Sequence, residues 1–180
     1  MLAPLPALAA LLSTLIIGSD AYARRVPNAL LLAALLLAGG VLATAWVQGT
    51  TGPPWSALAG LSIGLVALLP PYVLGWMGAG DVKFFATLGF LLGAWALLPI
   101  WIIGSVLAGM HAMVVLMLRS SAVQTVPGWQ ATQTWVARSA LGQRIATARQ
   151  GRAGLPYAAW LGVGALLTVL VPGLIPEWAP

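Results

Sequence analysis

Gly78-Ala79-Gly80-Asp81-Val82-Lys83 sits between two long apolar runs, and it carries one of the chain's three acidic residues and its single lysine. A carboxylate beside hydrocarbon costs free energy to bury, so an ionisable residue in that setting marks a working site unless something else accounts for it. The fold therefore turns on whether the flanking runs are membrane spans, and the function turns on what Asp81 works with.

Composition answers the first question. The 180 residues are 61% hydrophobic and 6% charged, with a mean hydropathy of +0.97, which is membrane-protein composition. An all-α polytopic membrane protein follows, with residues 1–180 forming one domain, because the spans use nearly all of the chain. The net charge of +5 does not indicate nucleic acid, since the basic residues flank apolar runs as juxtamembrane loops do. With no cysteine present, disulfides, thiolate metal sites and a cysteine nucleophile are excluded. No metal or other cofactor is expected.

Outward from the motif, the apolar runs divide into six spans. The first extends from about Leu2 to Gly18 and ends at Ser19-Asp20; with no Lys or Arg ahead of it, it reads as a retained span rather than a secretory signal. The second covers about Ala29 to Val47, with Pro27 beside its start. The third covers about Trp55 to Gly75, where Pro70-Pro71 is expected to kink or break the helix. Phe84 to Leu98 and Ile100 to Leu118 make the fourth and fifth, divided near Pro99, and about Leu155 to Pro172 the sixth. Between the last two, a polar loop of about 119–154 repeats Ala137, Leu141, Ile145 and Ala148 at helical spacing, which predicts an interfacial helix or a solvated connector.

Six spans place all eight basic residues on one side, which the positive-inside rule makes cytoplasmic, with both termini opposite. Trp46, Trp55, Trp95, Trp101 and Trp178 then fall near the far boundary and Trp76 near the cytoplasmic one, as an aromatic belt. The same topology returns Asp20 and Asp81 to one face, two spans apart.

Two carboxylates at one depth suggest a shared acid–base pair, in which one takes a proton from water while the other, protonated, polarises a scissile carbonyl. By chain position, Asp20 lies at a helix C-terminus and Asp81 at a helix N-terminus. The macrodipoles would therefore leave the resting proton on Asp20. Taken singly, Asp20 could instead pair with Arg24, and Asp81 could cap its own helix. Gly78 and Gly80 suit either a plain loop, a positive φ, or close approach of a substrate backbone. Lys83 suits snorkelling, and His111 suits interhelical hydrogen bonding.

Asp20 followed by Arg24-Arg25-Val26-Pro27-Asn28, together with Gly78-Ala79-Gly80-Asp81-Val82-Lys83, resembles the paired motifs of the type IV prepilin peptidases, membrane aspartic proteases of the GxGD type. Leu155-Pro156-Tyr157-Ala158 is also similar to the family pattern. The resemblance implies a catalytic pair of Asp20 and Asp81, with Gly78, Gly80, Lys83, Arg25, Pro27 and Asn28 as motif support or substrate contacts. It further implies a prepilin or pseudopilin precursor as partner, cut at the cytoplasmic boundary of a bacterial inner membrane. Longer members carry a cysteine-bearing cytoplasmic insertion and methylate the new N-terminus. This chain lacks both the cysteines and an insertion between its first two spans, so it is similar to the short form of tight-adherence pilus systems and no methylation is expected. Two other functions fit a pair of membrane carboxylates: a small proton-coupled transporter, and a signal-peptide-peptidase-like enzyme, whose first aspartate would lie inside a helix beside a tyrosine. Composition fixes neither the oligomeric state nor the particular precursor.

Overall fold

The structure, a computed structural model, describes residues 4–152 and 154–174. Among the described residues there are nine α-helices: α1 (Pro4–Ala23), α2 (Asn28–Val47), α3 (Trp55–Val73), α4 (Ala79–Leu92), α5 (Leu97–Leu118), α6 (Ser121–Gln124), α7 (Trp129–Arg138), α8 (Ala140–Arg149) and α9 (Tyr157–Leu170). There is no strand among the described residues. Four helices, α1, α2, α3 and α5, are long and apolar enough to cross a membrane. At 14 residues each, α4 and α9 reach only about 21 Å at 1.5 Å per residue.

The helix opened by the glycine motif is the core of the bundle. Nine of the 14 residues of α4 are buried, Phe84, Phe85, Leu88 and Leu91 among them. It packs chiefly on α3 and also touches α1, α2 and α9, while α9 lies between α1 and α5. Small residues set these distances. A Cβ on Gly60 would collide with the Gly89 carbonyl, one on Gly64 would come within 2.8 Å of Ala86 Cα, and one on Gly164 within 2.6 Å of the Ile100 carbonyl oxygen. Where lipid replaces water, close backbone approach of this kind is the main source of helix association.

The described structure corrects several expected boundaries. Helix α1 does not stop at Gly18: it continues through Asp20 to Ala23. The break between α4 and α5 falls at Gly93, whose φ of +84° lies in the region that favours glycine, and not at Pro99. Pro99 occupies the first turn of α5, where its missing N–H costs no helical bond. The Pro70-Pro71 pair does not break α3, which runs on to Val73 before Leu74 N–H caps back to the Pro70 carbonyl at 3.0 Å.

The polar connector is two longer helices rather than one. Ser139 is extended (φ −62°, ψ 152°) and its Oγ accepts the Gly142 N–H, so it ends α7 and starts α8. Ala137 is thereby separated from Leu141, Ile145 and Ala148, and α8 packs against α1. Trp46, Trp55, Trp95 and Trp101 are all exposed; Trp178, like Glu177, lies outside the described residues.

Candidate active site

Asp20 is buried, 6% exposed, in the last turn of α1. Its Oδ2 accepts the backbone N–H of Ala159 at 3.0 Å. Ala159 is the third residue of α9, so the Asp20 carboxylate satisfies one of the donors that every helix N-terminus leaves open. Arg24 acts on Asp20 through its charge, while the hydrogen bond comes from α9.

Asp81 is the third residue of α4, and its Oδ2 accepts the Gly78 N–H at 3.0 Å. The expected cap is present. Asp81 also feels the Asp20 charge and the Ala158 N–H. Both carboxylates thus face helix N-termini, Asp81 at its own and Asp20 at that of α9. The contrast in local field expected from chain position alone is therefore offset, because α9 supplies Asp20 with a second, favourable dipole end.

The two aspartates line one cavity of about 510 Å³, together with Arg24, Arg25, Val26, Asn28, Lys83 and Arg152. Gly78, Ala79 and Gly80 complete that wall. Lys83 Nζ donates to Asn28 Oδ1 at 3.4 Å, so the two motifs meet directly and the lysine does not simply snorkel. Pro27 has its place at the N-cap of α2, its carbonyl accepting the Leu30 N–H. Arg25 donates from Nη2 to Gln150 Oε1 at 3.4 Å.

The positive-φ reading of the two glycines does not hold. Gly78 has a φ of −82°, and neither it nor Gly80 is among the glycines with positive φ. Gly80 is needed for packing, because a Cβ there would lie 2.9 Å from Val26 Cβ. Val26 belongs to the first motif, so the second glycine brings the two motifs into register.

A second and larger cavity, about 1000 Å³, meets the first at Gly78, Asp81 and Leu155. Its walls are mostly apolar, including Leu68, Phe85, Leu97 and Trp101. Tyr157 also lines it, its hydroxyl 3.0 Å from that of Ser105. Asp81 therefore stands where an apolar groove opens into a basic, polar one. Beyond Ser105, α5 runs on to Leu118, about 20 Å of largely apolar helix. His111, on that extension, packs on Trp160 with ring centroids 5.5 Å apart.

Arg24 has a guanidinium whose pKa is lowered from its ordinary value, first by burial and then by the Arg149 charge, with Asp20 opposing. Arg149 anchors on the Ala21 carbonyl at 3.0 Å. Among the described residues no group of three His, Cys, Asp or Glu side chains is placed to hold a metal. The contributions of Ala159, Arg149, Gln150 and Arg152 carry no sequence signal beyond their types. Tyr157 was visible only as part of the Leu155–Ala158 pattern.

An all-helical bundle with four helices fit to cross a membrane and an apolar exterior is a membrane protein. Residues 7–114 match the type IV leader peptidase family, and the chain belongs to that family, which makes it a protease. The match spans α1 to most of α5 and contains both aspartates. No curated protein and no solved structure matches the chain.

Proposed function

We propose that the protein is a membrane-embedded aspartic endopeptidase that removes the leader of a prepilin or pseudopilin at the cytoplasmic face of a bacterial inner membrane, without methylating the new N-terminus. The observation that supports it best is the shared cavity of Asp20 and Asp81. One carboxylate, ionised, would take a proton from water as it attacks the scissile carbonyl. The other, protonated, would donate its proton to the carbonyl oxygen; as the tetrahedral diol collapses it would take that proton back, while the first passes the proton gained from water to the leaving amine. Each aspartate already accepts a backbone N–H, which fixes its orientation and leaves its other oxygen for this work.

In this reading α1, α2, α3, α4, α5 and α9 are the six spans, and 119–154 is the cytoplasmic loop. The short α4 and α9 are compatible with a site recessed in the bundle and reached by water through the polar cavity. That Asp20 lies inside α1, two residues from Tyr22, brings the geometry nearer to the signal-peptide-peptidase-like alternative than its chain position implied. Family membership favours leader cleavage over cutting within a span.

The test is co-expression with a pilin precursor, following the leader by mass. Cleavage by the parent, abolished in Asp20→Asn and in Asp81→Asn, is the expected result. Cleavage that persists in both variants refutes the mechanism, and proton-coupled solute flux without any cleavage would favour a transporter.

A further inference from the structure

The two non-glycine residues with positive φ among the described residues, Arg24 (φ +53°) and Gln150 (φ +47°), belong to one side-chain cluster. A left-handed conformation costs a non-glycine residue free energy, and it persists where the surroundings enforce it. Arg24 takes it because its N–H closes α1 on the Asp20 carbonyl at 3.0 Å. This is a C-terminal position where glycine is the usual residue. Gln150 ends α8 in the same way, and its Oε1 accepts from Arg25 Nη2 at 3.4 Å and from Arg152 Nη2 at 3.1 Å.

The result is a set of arginines gathered at the junction of α1, α8 and α9 with too few acceptors. Arg24 Nε and Nη1, Arg149 Nε and Arg152 Nη1 are buried without a hydrogen-bond partner. Asp20, the acid beside them, gives one oxygen to Ala159 and acts on Arg24 and Arg149 through charge rather than by a hydrogen bond. Buried donors without acceptors are costly, and like charges add to the cost. An anion would relieve both. Arg24, Arg25 and Arg152 open onto the polar cavity, so the anion has a way in. The cluster sits where α1 ends and α9 begins, the level at which a membrane offers phosphate groups. The guanidinium fork matches phosphate oxygens in pairs.

We propose that Arg24, Arg149 and Arg152, with Arg25 at the rim, bind the phosphate of an anionic phospholipid headgroup beside the aspartate cavity. The site stands independently of which bond the enzyme cuts.

The test titrates phosphatidylglycerol, phosphatidylcholine and inorganic phosphate into the full chain in neutral detergent, counting bound molecules by native mass spectrometry. Phosphatidylglycerol should bind about tenfold more tightly than phosphatidylcholine, and Arg149→Gln and Arg152→Gln should each weaken it about three- to tenfold, the scale of lost charge-assisted contacts. Arg24→Gly should weaken it as much while raising the thermal midpoint, because glycine relieves the positive φ. That separates lost binding from lost folding. Arg138→Gln, on α7, should change nothing. Equal retention of phosphatidylglycerol by a variant combining Arg24→Gly, Arg149→Gln and Arg152→Gln, or an equal loss in Arg138→Gln, overturns the proposal. Inorganic phosphate binding as tightly as the lipid would make free phosphate the ligand and also overturn it. So would variants that bind the lipid normally but raise KM for a precursor in phosphatidylcholine bilayers, which would make the ligand a substrate carboxylate. Binding is read without turnover, so a failure of the peptidase reading shows up separately.

Discussion

The carboxylate of Asp20, in the last turn of α1, accepts the N–H of Ala159, in the first turn of α9, at 3.0 Å. One side chain therefore joins the proposed chemistry to the packing of α9 on α1, and two substitutions should separate these roles. Asparagine can still accept the N–H through its carbonyl oxygen, whereas alanine leaves it unpaired at a cost of about 1–3 kcal/mol. Asp20→Asn should thus unfold near the parent temperature and Asp20→Ala clearly below it. Both should lose at least about a hundredfold in cleavage rate, the lower scale of acid–base assistance. Thermal unfolding in detergent beside a leader-cleavage assay checks this. Equal stability of the two variants would mean that the Ala159 bond contributes nothing.

The two glycines before Asp81 should respond differently to alanine. At Gly80 the new methyl lies 2.9 Å from Val26 Cβ and 3.1 Å from its Cγ2, and a Cβ is fixed to its backbone, so no rotamer change moves it aside. The start of α4 must shift, at a cost of about 1–3 kcal/mol. A displacement of about 1 Å at Asp81 lowers turnover by roughly a hundredfold. At Gly78 the methyl meets Asp81 Oδ2 at 3.4 Å with a φ of −82°, an ordinary contact in an ordinary conformation, so Gly78→Ala should keep most activity. If cleavage instead fell as far in Gly78→Ala as in Gly80→Ala, with stability intact, close approach of a substrate backbone at Gly78 would be the better explanation.

These residues also show why some of the structure was legible in the sequence and some was not. Hydropathy marks apolar runs, so the long spans and the return of Asp20 and Asp81 to one end could be read directly. Helix ends could not, because they depend on local geometry. Asp20 looks like the start of a polar loop, yet α1 carries it because α9 offers its N–H as partner. Pro99 looks like the break, yet Gly93 makes it, because proline fits a first helical turn and only the glycine takes φ +84° without strain. The Ala159 donor is a backbone group on a distant helix, and no residue type announces it. Gly60 and Gly64, by contrast, have the spacing of close helix packing, a signal the sequence does carry.

The crossing of α3 and α4 gives a third prediction. A Cβ on Gly60 runs into the Gly89 carbonyl and a Cβ on Gly89 into the Gly60 carbonyl. Both obstacles are backbone, so no side chain can turn aside. Gly60→Ala and Gly89→Ala should each force the helices apart and lower stability by at least about 1–3 kcal/mol. Gly39→Ala, where a Cβ meets nothing within 4 Å, should be neutral. Yield and thermal midpoint in detergent are the measurements. A midpoint for Gly89→Ala equal to that for Gly39→Ala would show that the two helices do not cross there.

Tyr157 lines the larger cavity with Asp81, but its hydroxyl is 3.0 Å from that of Ser105. The hydroxyl could serve packing or chemistry, and a double-mutant cycle separates them. If the bond fastens α9 to α5, Tyr157→Phe and Ser105→Ala should each lower stability by about 0.6–1.5 kcal/mol. The double variant should lose little more than either alone, since each removes the same bond. Cleavage should follow the same pattern: kcat within about threefold of the parent in both single variants, because no transition-state contact is lost. The opposite outcome is equally readable. A kcat that fell about a hundredfold or more in Tyr157→Phe and not in Ser105→Ala would mean that the tyrosine donates to the reacting carbonyl, with Ser105 only holding it in place.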